Sequence, residues 1–146
     1  MTSSSRYKSK SKPKPTFPDR VRTPADFAQL IRAMLAPNKA PIPVPLLLAL
    51  GVDGEHILCG FGVQDDAETV ADLRVDKLKA LAAELGAVVL VLAHVLPPGS
   101  AVPGADAARE FSAIAEACHR ADLLLVDCVV VRGGRWWSLR SLAASL

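Results

Sequence analysis

Aromatic residues are scarce in this chain, with four Phe, two Trp and one Tyr in 146 residues. The core must therefore be built from Ala, Leu and Val, which dominate an apolar content of 51%. Cysteine is scarce too. Cys59, Cys118 and Cys128 are odd in number and never spaced CxxC, which argues against a disulfide framework and a zinc ribbon and fits a reducing, cytoplasmic setting. The longest apolar runs, near 42–50 and 87–96, are too short and too Pro-bounded to cross a bilayer. The basic N-terminus lacks the apolar stretch of a signal peptide. A nucleophile elbow, a P-loop, a GxGxxG loop and the HxE and PCxxC elements of zinc deaminases are all missing. These absences point to a soluble protein with no membrane segment, and they remove most common catalytic classes.

The length suits one domain with a real core. Charge is unevenly spread. Arg6, Lys8, Lys10, Lys12 and Lys14 place +5 in residues 1–18, so a formal total of +2 leaves the rest of the chain at −3. Residues 1–18 hold Ser, Lys and Pro with little to bury and read as a disordered basic tail; residues 19–146 read as the folded domain. The five cations suit non-specific binding of nucleic acid, or serve only solubility.

In "RTPADFAQLIRAMLAPN" Thr23 is an N-cap, Pro24 the first helical residue and Asp26 the acid of a capping box. Phe27, Leu30, Ile31, Met34 and Leu35 fall on one helical face. An extended lead-in and a hairpin turning at Asp53-Gly54 come next. "DKLKALAAELG" predicts a helix stopped by Gly86, and the unbroken apolar run "AVVLVLAH" a strand covered on both faces. "DAAREFSAIAEACHRAD" predicts a helix with Asp106 as its N-cap and Phe111, Ile114, Ala115 and Cys118 on one face. "LLLVDCVVV", Gly133-Gly134 and "RWWSL" predict a closing hairpin. The order α-β-β-α-β-α-β-β predicts an α/β domain of two or three layers around a mixed sheet. Trp136 and Trp137 should face opposite ways, and the outward one, among Arg132, Arg135 and Arg140, either stacks on a nucleobase or sits at a charge-guarded edge.

"RVRTPADFAQLIRAML", "AHVLPPGSAVPGADAAREF" and "ADLLLVDCVVVRGGRWWSLRS" together resemble the RadC-like family of JAB/MPN (JAMM) domains, from about residue 19 to the end. The Arg-x-Arg-Ser/Thr-Pro opening is matched by Arg20 to Pro24. The terminal hairpin is matched by Asp127-Cys128, where the family has Asp-His, then Gly133-Gly134 and Ser138-Leu139-Arg140. The resemblance implies a mixed sheet flanked by helices, of cytidine-deaminase-like architecture. It also implies a motif HxHPxxxxxxSxxD with an upstream glutamate, in which two imidazoles and a carboxylate hold Zn²⁺ and the glutamate is general base on a bound water. Here the first histidine falls on His94 and the second on Leu96; proline matches Pro97, serine falls on Gly104 and aspartate on Ala107, with the glutamate near Gly60.

One ligand of three remains. Asp106, one residue off the motif, is the candidate second metal ligand beside His94, with Cys59 or Cys128 as a soft third donor; each also has a structural reading. His56 beside a turn and His119 near a helix end need no metal to explain them. Three readings follow. The chain is a degenerate, non-catalytic JAB-type domain acting through an unknown protein partner and needing no cofactor. It is a nucleic-acid-associated protein, in keeping with the family's association with DNA repair. Or it is a zinc-dependent JAMM-type metallopeptidase with displaced ligands.

Overall fold

The computed structural model describes residues 19–37, 40 and 42–146. The tail with Arg6, Lys8, Lys10, Lys12 and Lys14, and the expectation that residues 1–18 are disordered, lie outside the described residues.

The chain enters through Val21, which is buried and donates its N–H to the His56 carbonyl. Helix α1 (Pro24–Leu35) starts as its sequence demands. The Thr23 hydroxyl accepts from the Asp26 N–H, and the Asp26 carboxylate accepts from Arg22 and Thr23. The bond from the Arg22 backbone N–H leads in holding Asp26 below the usual carboxylate range. Strands β1 (Leu46–Val52) and β2 (Leu58–Val63) form the expected hairpin. Its turn is longer than the Asp53-Gly54 pair suggests. The Asp53 carboxylate accepts from the N–H groups of both Glu55 and Ile57, and the positive φ falls on His56. The aspartate side chain thus organises a wider loop in place of a two-residue turn.

A 3₁₀ turn (Val70–Asp72) leads into α2 (Val75–Leu85), which Gly86 ends in the left-handed conformation. Then come β3 (Val89–Val95), α3 (Ala105–Arg120), β4 (Leu124–Arg132), β5 (Arg135–Ser138) and a short helix α4 (Leu139–Ala144). The sheet order is β2-β1-β3-β4-β5, with β3 and β4 parallel and the other neighbours antiparallel. This is an α/β domain with a five-stranded open mixed sheet.

Two apolar clusters lie on its two faces. Phe27, Leu30 and Ile31 of α1 cover Leu48, Leu50, Val91 and Val129 on one. Leu78, Phe111, Cys118 and Leu139 cover Leu47, Leu90, Leu92 and Val130 on the other. The sandwich explains why β3 reads as an unbroken apolar run. Among the described residues no helix is long and apolar enough to cross a membrane.

One local expectation is corrected. Asp106 does not cap α3: Gly104 is the N-cap residue and offers no side chain, while Asp106 lies in the first turn and pairs with Arg109 at 3.0 Å. A carboxylate in the first turn interacts favourably with the helix dipole without capping. The closing hairpin of β4 and β5 forms as expected, and a short helix absent from the expected order of elements follows it. Ser138 closes β5 and at once caps α4, its hydroxyl accepting from the Ser141 N–H at 3.1 Å.

Candidate functional site around His94

The carboxyl ends of β3 and β4, the parallel pair, are where an open α/β sheet most readily leaves room for a ligand. His94 lies there, level with Leu47 on one side and Val130 on the other. Both neighbours belong to the cluster under α3, so the imidazole points to that face.

A cavity of about 240 Å³ opens beside it. The loop from 96 to 104 forms one wall, the start of α3 a second, and Thr69 with Val70 a third. The loop is tied down at both ends of its first half. The Leu96 N–H donates to the Val131 carbonyl at 2.9 Å, and the Arg132 guanidinium donates to the Ser100 carbonyl.

Positions 94, 96, 104 and 107, spread over a strand end, a loop and a helix start, all line this one cavity. They bring little chemistry. Leu96 and Ala107 pack against the apolar cluster, and Gly104 has no side chain. Asp106 is turned away: it is not part of the lining, and its side chain is 95% exposed beside Arg109. The structure does not bring His94 and Asp106 together. Cys59 is exposed on β2, whereas Cys128 and Cys118 are buried in the apolar cluster. Burial pushes the thiols of both up, and the charge of Asp127 adds to this at Cys128.

Among the described residues no three His, Cys, Asp or Glu side chains gather at metal-binding separation. A hydrolytic zinc site needs three protein donors and an open fourth position. The groups around His94 do not fit that ion.

What the cavity does contain is an unusual imidazole. Its Nε2 is buried and has no hydrogen-bond partner among the described residues. Burial holds the ring below its ordinary value of 6.5, opposed by a hydrogen bond from the ring to the Glu68 backbone. The donor role taken by that bond leaves the neutral ring with Nε2 as a buried, unused acceptor. Glu110, one turn beyond Ala107, and Thr69 add the other polar groups of the lining. Neither was marked by the sequence. Glu110 follows Ala107 at i+3, a spacing that could have flagged it; Thr69 carries no such signal.

Gly60, near which the resembled motif would place its glutamate, is a constrained position. Its φ is +152°, and a Cβ there would lie 2.6 Å from Leu85 Cδ2. A glutamate at 60 would need a backbone that L-residues avoid and a displaced leucine.

Trp137, not the more exposed Trp136, meets the arginines. Its ring packs against the core, with the Arg135 guanidinium 5.1 Å and the Arg132 guanidinium 5.6 Å from its centre. No protein-family model matches the chain, and the curated proteins include no match to its sequence.

Proposed function

We propose that the chain is a degenerate RadC-like JAB/MPN domain that acts by binding a partner, not by hydrolysis. The observation that carries this reading is the cavity at His94. The four positions at which the resembled motif would place His, His, Ser and Asp surround one space, and three of them now carry no ligating atom. Leu96 and Ala107 add no polar group that needs a partner, so the stranded atom at these positions is the Nε2 of His94. A fold so lined stands without a metal.

The partner is a protein or a nucleic acid in a cytoplasmic setting, and the DNA-repair association of the resembled family sets where to look. The five cations of the tail would supply the nucleic-acid affinity. Replacing all five by Ser in the full chain is expected to weaken duplex binding and flatten its salt dependence by about 4 units of slope. An unchanged slope would leave a protein as the partner.

Metal content decides between this reading and a JAMM-type zinc hydrolase with displaced ligands. The full-length protein and a His94→Ala variant, both expressed with added zinc, are compared by elemental mass spectrometry. No zinc in either is expected. Near-stoichiometric zinc lost on removal of His94 would overturn the binding-domain reading.

A further inference from the structure

We infer that two copies of this chain pair edge to edge through β2, with Phe61 on the two-fold axis. The inference is independent of the His94 cavity.

β2 is one of the two outer strands of the sheet. The Gln64 N–H donates to the Leu47 carbonyl at 2.8 Å, which fixes the phase of the β1–β2 ladder. Gly62 and Gly60 then bond inward to β1, and Phe61 and Val63 turn their N–H and C=O groups to the open edge. Those two residues also pair with Leu50 and Leu48, so their side chains lie on the α1 face. The helix packs over β4 and β5 and falls short of β2. Phe61 and Val63 each remain 49% exposed.

Natural edges are usually guarded by charge, proline or brevity. "LCGFGV" has no charge and no proline over six residues. Its one such device is the irregularity beside Cys59, at the hairpin end.

The geometry selects a second copy as the occupant. An antiparallel neighbour centred on Phe61 makes a self-complementary pair, each Phe61 donating to and accepting from the other. The opposite face also accommodates it. Gly60 and Gly62 let α2 settle onto the hairpin, with Leu85 and Leu81 where side chains at 60 and 62 would stand. The helix lies over both β1 and β2, roughly 5 Å from the proposed axis at ordinary strand spacing. Its symmetry mate would then run antiparallel about 10 Å away, the normal distance for packed helices.

The residues of α2 nearest the axis suit that arrangement. Lys77, Leu81 and Glu84 share the stripe nearest β2; Lys77 is exposed though paired with Asp66 of its own chain, Glu84 is exposed, and Leu81 is half-buried. An antiparallel copy brings Lys77 of each helix toward Glu84 of the other, with the leucines between them.

The test uses the full chain. Sedimentation across the micromolar range should give a particle of twice 15.4 kDa. Phe61→Lys, which places like charges across the axis, should weaken dimerisation by ~100-fold or more. Its circular dichroism and thermal unfolding should stay intact, because Phe61 is half-exposed in the single copy. On a Cys59→Ser background, Phe61→Cys should form an intermolecular disulfide under mild oxidation, since paired Cα atoms lie about 5.5 Å apart in such a ladder. Val63→Cys should not, its two copies being roughly 14 Å apart. A monomer throughout, as would result if residues 1–18 covered the edge, overturns the proposal. So does a dimer that Phe61→Lys leaves unchanged, or one cross-linked by Val63→Cys and not by Phe61→Cys.

Discussion

Asp127 and His94 sit on neighbouring parallel strands, and the fold treats them in opposite ways. Asp127 is 3% exposed and fully engaged. One oxygen accepts from the Cys128 N–H at 2.7 Å and the Arg140 N–H at 3.0 Å, the other from the Ser138 hydroxyl at 2.7 Å. Ser138 in turn caps α4, so the carboxylate joins the middle of the sheet to the last helix. His94 keeps a buried nitrogen with no partner among the described residues. A buried polar group is expensive unless satisfied. The aspartate is what the architecture needs, and the histidine is what it tolerates. A tolerated polar atom beside a cavity marks the candidate site.

If the contrast is right, Asp127→Ala has the largest effect. It leaves a hydroxyl and two N–H groups without their acceptor, two of them deeply placed, and should lower stability by about 3 kcal/mol in urea unfolding. Loss of α4 should accompany it, as increased amide exchange over residues 139–144. A change under 1 kcal/mol would show the network to be dispensable.

Ser138→Ala removes one bond to Asp127 and the cap of α4 while leaving the carboxylate its two backbone donors. About 1.5 kcal/mol is expected. His94→Leu should then go the other way, costing nothing and stabilising by up to about 1 kcal/mol, because it removes an unsatisfied nitrogen from an apolar surround. Destabilisation of the same size as Ser138→Ala would mean that the bond to Glu68 matters more than the orphan nitrogen, and the contrast would fail.

Much of this arrangement was legible beforehand, for reasons that differ between elements. Helix α1 was readable to its capping box because Thr23 and Asp26 act within one turn, and α2 was readable to its Gly86 stop for the same cause. The strand end that carries His94 was readable from an apolar run ending in a lone histidine. Roles that depend on atoms far apart in the chain were not legible. Asp127 looked like part of a motif, and its partnership with Ser138 and Arg140 spans a whole hairpin. Asp106 looked like a cap because caps favour aspartate, yet the chain turns into the helix at Gly104, two residues earlier. The roles of Gly60 and Gly62 rest on leucines from a helix some twenty residues on. Local chemistry fixes where elements start and stop; only packing decides which polar groups are left over.

The finest test of the contrast is pH. Burial lowers the native imidazole of His94 below its ordinary 6.5. As pH falls through 6.5 the unfolded chain takes up a proton before the native one does. Between 6.5 and the lower native value the unfolded state therefore binds more protons, and stability declines with falling pH. Above 6.5 both states are neutral at this position and the contribution is flat. The difference in unfolding free energy between wild type and His94→Leu isolates it from the other titrating groups. That difference should be constant from pH 7 to 8 and should widen against the wild type below 6.5. A difference that instead narrows on acidification would mean that His94 gains a proton on folding. An anion would then have to face its Nε2, and the cavity would hold a charged ligand or side chain in solution.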